Sequence, residues 1–382
     1  MKSSVVSCRS SAGLACLVAL ALAGSGCSSA PTSVPDAAPD ATPKVDLGPP
    51  PFAAAATGWA SVPDLGLQTT TGGDGGEVVE VTTTADFAAQ AKLAGPRIIL
   101  VNGIVGEGTR VSITSNHTII GLPGAEFHGG LKISGQNNVI IRNLKIVGNN
   151  CADSPDDCSG GADAVSIGDG SHHVWVDHCD ISDGSDGNLD VNGGSDYVTI
   201  SWTKFSYSGA RPGGHQFSNL VGSSDNEPGD VGHLRVSYDH VWWAERVRER
   251  MPRVRYGQVH VYNSLYSARG DNYCVGVGVF ANVLTESNVF VGVRDPIESA
   301  SYSNEQSVVV SRDNMYVDAA GAREDRGSGV FVPPYAYSLD AVRSVQAQVE
   351  NGAGPCPSRF VFGAVPVPVC SQSPDQAAVS AP

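Results

Sequence analysis

Two groups of side chains in this sequence have the types and spacing needed to bind charged ligands. Asp163, Asp186 and Asp190 supply three carboxylates, and residues 246–255 hold five arginines. Carboxylate oxygens are hard ligands that favour Ca²⁺ over transition metals. Guanidinium groups bind carboxylates through paired hydrogen bonds, so the arginine run suits an anionic ligand. Each group also has a structural interpretation, because Asp-Gly is common in turns and arginine runs are common on solvated surfaces.

The elements that must position these groups follow from a repeat of short apolar runs. From the run at 139 onward, the starts are 35, 24, 36, 25, 24 and 25 residues apart. A steady period near 24 residues is typical of a solenoid. The nine runs occupy 98–101, 118–120, 139–141, 174–176, 198–200, 234–236, 259–261, 283–284 and 308–310.

The repeat predicts an all-β protein folded as a parallel β-helix, with long loops that leave the coils. No LxxLxL frame occurs, which excludes leucine-rich repeats, and the runs are too sparse for propeller blades. The two long intervals predict loops at about 147–173 and 207–233, where function usually lies. Helical windows are few; one covers 84–92, with Thr84 as the expected N-cap.

The same repeat predicts where the carboxylates lie. Asp163 precedes the run at 174 by 11 residues, and Asp186 precedes the run at 198 by 12. The matched offsets put these two residues on neighbouring coils, about 4.8 Å apart across the ladder. Asp190 lies four residues after Asp186. Three unpaired carboxylates this close repel one another unless a cation lies among them, so the spacing predicts a metal site.

The first 27 residues predict an export signal, of lipoprotein type. Lys2 and Arg9 precede an apolar run at 13–23, which is too short to cross about 30 Å of hydrocarbon as a helix. The run ends at Gly24-Ser25-Gly26-Cys27, which is similar to a bacterial lipoprotein cleavage site except that Leu is usual at the position of Gly24. We expect an exported protein, secreted or lipid-anchored to the bacterial envelope at Cys27. Cleavage without lipidation is the alternative.

Composition sets the domain boundaries and excludes some partners. Residues 28–56 are dominated by Ser, Ala, Pro, Thr, Asp and Gly, which predicts a flexible linker before a folded domain at 57–382. The formal net charge of −15 argues against nucleic acid and anionic lipid as partners. A membrane contact is expected only through a lipid at Cys27, and the protein is expected to be a monomer.

Six of the nine cysteines lie beyond the export signal and its processing site. An even number in an exported chain predicts disulfides, and the local pairs are Cys151–Cys158 and Cys356–Cys370. Zinc is a weak alternative because no CxxC spacing occurs. Cys179 and Cys274 lie in apolar, strand-like runs, which fits buried thiols.

Several motifs, in order, make the sequence resemble the pectate lyase family. Residues 174–178 (VWVDH) resemble its vWiDH signature, and 186–190 followed by 197–202 resemble its DGxLD…yVTiSwn segment. Residues 250–263 resemble its RxPxxRxGxxHxyNN segment, and the resemblance covers about 70–340. The resemblance implies an all-β, right-handed parallel β-helix, a single domain with long loops that form a substrate cleft.

Residue by residue, the resemblance implies roles for both charged groups. It implies Ca²⁺ binding at Asp163, Asp186 and Asp190, proton abstraction at Arg250, and substrate contact at Arg255. The implied enzyme is a Ca²⁺-dependent pectate lyase that cleaves α-1,4-polygalacturonate by β-elimination to 4,5-unsaturated oligogalacturonates. Its expected partner is an acidic polysaccharide, polygalacturonate or pectin.

Two other functions remain open from the sequence. A pectin lyase acts on methyl-esterified pectin without Ca²⁺, and the retained Asp186 and Asp190 argue against it. A non-catalytic carbohydrate-binding β-helix has no turnover, and the retained Arg250 argues against it.

The sequence also departs from the family pattern at Phe217, where a substrate-binding Lys is usual. Two cationic or titratable residues near Phe217 could substitute for that lysine, and the sequence departs from the family pattern at one further position. His215 and Arg211 are the candidate cations near Phe217. Gly161 stands where some family members carry a second Asp, two residues before Asp163. Both departures bear on how strongly substrate and Ca²⁺ would bind.

Overall fold

The computed structural model describes residues 55–149, 162–299 and 306–356. Among these residues, no helix combines the length and apolar character that a membrane crossing requires. The predictions that fall outside the described residues concern 1–27, most of 28–56, Cys151, Cys158, Gly161 and Cys370.

The apolar runs found in the sequence all reach one parallel sheet of ten strands. Val198 pairs with Val174 on one side and with Val236 on the other, so branched side chains stack coil on coil in the interior. One start differs from the prediction, because the run at 234–236 enters its strand only at Val236. In sheet order, the strands are β1 (Glu77–Val81), β2 (Arg97–Val101), β4 (His117–Gly121), β6 (Asn137–Arg142), β9 (His172–Asp177), β12 (Asp196–Ser201), β15 (Val236–Asp239), β18 (Gln258–Tyr262), β21 (Asn282–Glu286) and β24 (Val308–Arg312).

A second set of fifteen parallel strands forms two further faces, which meet at the long strand β5 (Glu126–Ser134). Strand β5 pairs with β7 (Lys145–Val147) near its start and with β8 (Val165–Gly168) near its end. One branch comprises β7 (Lys145–Val147), β10 (Asp180–Ser182), β13 (Lys204–Ser206), β16 (Trp242–Trp243), β19 (Leu265–Tyr266), β22 (Val289–Val291) and β25 (Met315–Val317). The other, called the site face below, comprises β8 (Val165–Gly168), β11 (Leu189–Val191), β14 (Leu220–Val221), β17 (Arg253–Val254), β20 (Val275–Val277) and β23 (Ile297–Glu298), while β3 (Ile104–Ser112) pairs with β5.

Each coil from β9 to β23 therefore supplies one strand to each of three faces. The prediction of a right-handed parallel β-helix is confirmed. Because the strands are only two to six residues long in these coils, each coil depends on its neighbours for burial and for backbone hydrogen bonds.

A column of aromatic rings runs through the interior of the later coils. Trp243 stacks on Tyr266 with ring centroids 4.6 Å apart, and Tyr266 stacks on Phe290 at 4.2 Å. All three side chains are fully buried. Stacked aromatic pairs contribute about 0.5–1.5 kcal/mol each beyond their burial, so the column stabilises the register of the coils that carry the site face.

Two helices flank the β-helix. Helix α1 (Thr84–Gln90) confirms the predicted window, but its N-cap is Thr83, whose side chain accepts a hydrogen bond from the backbone N–H of Asp86 at 3.1 Å. The expected cap, Thr84, is the first helical residue and accepts a hydrogen bond from the N–H of Gly106 instead. The sequence does not predict α2 (Val342–Gly352), although its buried Val345 and Val349 have i, i+4 spacing.

The predicted loops lie between faces of the β-helix. The first, predicted at about 147–173, contains β8 and reaches into β9, so the connection between β7 and β8 is shorter than predicted, and residues 150–161 lie outside the described residues. The second is divided by β14, which the sequence does not indicate. Its first part is tied down by Tyr207, whose hydroxyl donates to the carbonyl of Phe217 at 2.6 Å. This hydrogen bond fixes the approach of the chain to the site face.

Cys179 and Cys274 are buried free thiols, as the sequence indicates, whereas Cys356 is disulfide-bonded. Burial raises the pKa of the Cys179 thiol to about 12. The thiolate is the reactive form of cysteine, so a buried thiol with a raised pKa reacts slowly. We expect a thiol-alkylating reagent to leave Cys179 and Cys274 unmodified in the native protein and to modify both after denaturation without reductant. Peptide mass spectrometry measures this, and rapid native labelling would show that the coils open.

Candidate active site

The repeat brings the three predicted carboxylates together on the site face. Asp190 lies in β11, between Leu189 and Val191, whose side chains fill the core, so its own side chain points outward. Asp163 lies two residues before β8 on the neighbouring coil, where the N–H of Ala164 donates to the carbonyl of Gly187 at 3.1 Å. One carboxylate oxygen each of Asp163, Asp186 and Asp190 lies within 4.8 Å of the others.

Burial and mutual repulsion oppose ionisation of two of these carboxylates. Burial, with the charge of Asp186, raises the pKa of Asp163 to about 6, although a hydrogen bond from Ser166 opposes the shift. Burial and the charge of Asp163 raise the pKa of Asp190 well above its ordinary value. A hydrogen bond from His215 lowers the pKa of Asp186. The site therefore concentrates negative charge at a cost in stability.

The local structure fits a bound hard cation. Oδ1 of Asp163 is buried and has no hydrogen-bond partner among the described residues. A Cβ added to Gly187 would lie 2.8 Å from Oδ1 of Asp190 and 3.1 Å from Oδ1 of Asp163, so the glycine keeps the space between the two carboxylates open. Oxygens at about 2.3–2.6 Å from one Ca²⁺ are at most about 5 Å apart. The separation of the three aspartates meets that condition.

Arg250 lies directly beside the carboxylates. Its backbone has φ of 62°, uncommon for a non-glycine residue, and its carbonyl accepts a hydrogen bond from the N–H of Asn219 at 2.6 Å. The guanidinium carbon is 4.3 Å from the centroid of the Phe217 ring. Its positive charge favours the ionised form of all three aspartates, although burial still raises the pKa values of Asp163 and Asp190.

Arg250 also keeps hydrogen-bonding capacity for a ligand. Its Nε is buried and has no partner among the described residues. A buried donor without a partner is costly in a folded protein. Nε of Arg248 is unpartnered as well, so the stacking of the guanidinium on Phe217 and its electrostatic effect on the carboxylates are what distinguish Arg250.

Arg255 lies further along the site face and is paired within the protein. Its Nε donates to Asp225 at 2.7 Å and its Nη1 donates to the carbonyl of Gly222 at 2.9 Å. Burial, with the charges of Arg253 and Arg250, lowers its pKa. A guanidinium has five N–H donors, so these two hydrogen bonds leave others for a ligand.

The residues around Phe217 show which of the two candidate substitutes, Arg211 or His215, lies in the site. Arg211 is buried, and its Nη2 donates to the carbonyl of Asp183 at 2.7 Å, so its guanidinium holds the loop. His215 packs on Phe217 with ring centroids 4.2 Å apart, and its Nε2 lies 3.3 Å from Oδ1 of Asp186. Of the two substitutes that the sequence offers, His215 is therefore the one beside the carboxylates.

Sequence reasoning misses three residues that the structure adds to the site. Nη2 of Arg110 donates to the hydroxyl of Ser166 at 2.7 Å, and that hydroxyl donates to Oδ2 of Asp163 at 3.0 Å. Lys132 is the strand partner of Ser166 on the preceding coil. Arg110 is 53 residues before Asp163 in the sequence, outside the regular part of the repeat, so spacing gives no signal for it.

Together these groups define a β-helix protein whose site face pairs a carboxylate trio with arginines. A family model described as pectate lyase matches residues 46–356. A pectate trisaccharide-lyase of Bacillus licheniformis is 33% identical over 303 residues, which cover 75% of this chain and 83% of that protein. The chain therefore belongs to the pectate lyase family, as its motifs predict, and this membership places it among the polysaccharide lyases.

A second relative and two solved structures agree with this assignment. A pectate trisaccharide-lyase of Thermotoga maritima is 39% identical over 216 residues, covering 55% of this chain but only 56% of that protein. A variant of Bacillus subtilis pectate lyase has a TM-score of 0.63 at 23% identity, covering 78% of this chain and 96% of the other. A Bacillus pectate lyase in complex with trigalacturonate has a TM-score of 0.61 at 24% identity, covering 78% and 98%. At these identities the two structures show the shared fold.

Proposed function

We propose that this chain is a Ca²⁺-dependent pectate lyase that cleaves α-1,4-polygalacturonate by β-elimination and leaves 4,5-unsaturated oligogalacturonates. The observation that carries the proposal is the cluster of Asp163, Asp186 and Asp190, whose oxygens lie within 4.8 Å of one another beside Arg250. The relatives named as pectate trisaccharide-lyases and the complex with trigalacturonate support this substrate class.

The three aspartates would hold the cation through carboxylate oxygens, and His215 would keep Asp186 ionised and oriented. When bound there, Ca²⁺ supplies positive charge that draws electron density from a substrate carboxylate and so acidifies the neighbouring C5 proton. The buried position of Asp190 excludes water from one side of the site, which strengthens each electrostatic interaction in it.

Arg250 is assigned to the C5 proton. In the elimination Arg250 takes the C5 proton, the C5–H electron pair forms the C4–C5 double bond, and the glycosidic oxygen leaves C4 with its bonding pair and takes up a proton from solvent. A guanidinium accepts a proton only after it has lost one, and arginine is ordinarily charged because its pKa is above 12. Until then its charge stabilises the negative charge that develops on the substrate.

Arg255 and the ring of Phe217 complete the proposed binding surface. The remaining donors of Arg255 would bind a second carboxylate of the same polysaccharide. The ring of Phe217 holds the guanidinium of Arg250 in place, because a cation that lies over an aromatic ring is attracted to the face of that ring. This contact gives the aromatic residue a role of its own at the position where the family pattern has a lysine.

The two other functions make different demands on these residues. A pectin lyase acting on methyl-esterified pectin has little use for three clustered carboxylates. A non-catalytic carbohydrate-binding β-helix has no need of a proton acceptor at the position of Arg250. We further propose that the protein is exported, secreted or lipid-anchored at Cys27, and monomeric.

Chelation separates the first two functions. We expect exhaustive EDTA treatment to abolish formation of unsaturated product from polygalacturonate and excess Ca²⁺ to restore it, because the three aspartates repel one another without a cation. Ultraviolet absorbance of the unsaturated uronide follows the reaction on polygalacturonate and on esterified pectin in parallel. Full activity after chelation, or activity confined to esterified pectin, would favour the pectin lyase. Binding without product in any condition would favour the carbohydrate-binding function.

A further inference from the structure

Two cations lie on the side of the carboxylate cluster that faces the N-terminal coils. Arg110 pairs with Gly130 across β3 and β5, and Lys132 pairs with Ser166 across β5 and β8. Leu131 is buried in the core, so its neighbours in β5 present their outer side to the site face. The two cations therefore lie on the same surface as the aspartates, one and two coils away.

A glycine opens the path of Arg110 toward the cluster. A Cβ added to Gly130 would lie 3.3 Å from Cγ of Arg110 and 3.3 Å from the carbonyl oxygen of Asp163. The arginine side chain lies across that position and reaches Ser166 on the coil beyond. Its charge lowers the pKa of Asp163, which shows that the guanidinium is within electrostatic range of the cluster.

Neither cation forms an ion pair within the part of the chain that the structure describes. Arg110 is exposed and its hydrogen bond goes to an uncharged hydroxyl, while Lys132 is half-buried and forms no ion pair there. By contrast, Lys145 and Lys204, on the neighbouring face, are paired with Glu126 and Glu245. Two unpaired cations on the outer surface of one strand pair form a binding position for an anion.

We propose that Arg110 and Lys132 form a second anion subsite, which binds another carboxylate of the same polyuronate chain that the aspartate cluster and Arg250 hold. The inference rests on the proposed function, since it takes a polyuronate as the ligand. Such a chain carries a carboxylate on every sugar. Arg110 and Arg250 lie on opposite sides of the aspartates along the coil direction, so a chain lying along the site face meets a cation on both sides.

A positioning role for Arg110 is the alternative. The hydrogen bonds from Arg110 to Ser166 and from Ser166 to Asp163 form a relay to a proposed ligand of the cation. In that case the arginine affects Ca²⁺ affinity through Asp163, and the effect of its substitution on kcat/KM does not depend on the chain length of the substrate. The two roles therefore predict different measurements.

The test compares Arg110→Gln, Lys132→Gln and Ser166→Ala with the control Arg343→Gln. Arg343 is an exposed arginine in α2, on a different face. Loss of one charge-assisted hydrogen bond is expected to raise KM for polygalacturonate about tenfold in each cation variant, with kcat little changed. The ratio of kcat/KM for hexagalacturonate to that for trigalacturonate should fall. Ca²⁺ affinity of the Lys132→Gln variant, measured by calorimetry without substrate, should stay at the wild-type value.

Three results would overturn the subsite. Arg110→Gln and Ser166→Ala could weaken Ca²⁺ binding equally and leave the chain-length ratio unchanged, which is the signature of positioning. Both cation variants could match Arg343→Gln in every measurement. If the wild type forms no unsaturated product, the proposed function is wrong, and the subsite is tested by calorimetric binding of hexagalacturonate instead. Equal affinities of Arg110→Gln and the wild type for hexagalacturonate would then show that the subsite does not exist.

Discussion

Arg250→Lys is expected to lower kcat on polygalacturonate by about 10²- to 10⁴-fold, the range for a positioned proton-transfer group, with KM little changed. Lysine keeps the positive charge but lacks the planar fork, so it cannot both stack on Phe217 and present a donor to the site. Because the charge remains, the electrostatic support of the aspartates and the affinity for Ca²⁺ should survive. Steady-state kinetics and calorimetric Ca²⁺ titration measure the two quantities separately.

Arg248→Lys is the matched control for this substitution. Arg248 lies two residues earlier in the same run, and its Nη2 donates to Asn272 at 2.9 Å rather than facing the carboxylates. The control should retain nearly all of the activity. Equal losses in both variants would mean that the arginine run acts as a general anion-attracting surface, and the catalytic assignment of Arg250 would be wrong.

The part of the fold that the sequence predicts is the part with the strongest burial signal. Strands of the ten-stranded sheet have continuous runs of buried branched residues, as at Val198 and Ile200, so their period is visible. The other faces contain strands of two or three residues, such as Leu220–Val221 and Trp242–Trp243. Such short strands have no recognisable pattern, since their conformation is imposed by the coils on either side.

The same contrast explains which site residues the sequence predicts. Asp163 and Asp186 have matched offsets from regular coils, so their proximity follows from the period. His215 meets Asp186 across 29 residues that include an inserted loop, and no period applies there. Arg110 lies on β3, whose pairing with β5 shifts register between Val105 and Thr109. An irregular register cannot be read from the spacing of apolar residues.

Phe217 illustrates a different limit of motif reasoning. The motif identifies a missing lysine, and sequence proximity offers Arg211 and His215 as equal substitutes. Burial separates them, because Arg211 is committed to the carbonyl of Asp183 while His215 is part-exposed beside Asp186. What the motif cannot supply is the contact between the aromatic ring and Arg250, since that depends on how the loop after β13 folds back.

Asp190→Asn is expected to abolish the response of the protein to Ca²⁺ without destabilising the Ca²⁺-free form. Burial and Asp163 both oppose a charge at Asp190, so a neutral amide removes a repulsion. The amide oxygen can still accept the hydrogen bond from the N–H of Leu220, and the amide N–H₂ can donate to the unpartnered Oδ1 of Asp163. In EDTA, the Tm of the variant should therefore equal or exceed that of the wild type.

With excess Ca²⁺ the order should reverse. A ligand at 100 times its Kd stabilises the folded state by about 2.7 kcal/mol, which raises Tm of a domain of this size by roughly 5 °C, and the variant should lack this rise along with at least about 10²-fold of its activity. Asp180→Asn is the matched control, since burial also raises the pKa of Asp180 but its strand partners are Lys145 and Lys204. Calorimetric scans with and without Ca²⁺ give the result. An equal Ca²⁺ response in wild type and Asp190→Asn would place the cation elsewhere, because the three carboxylates are proposed to hold it together.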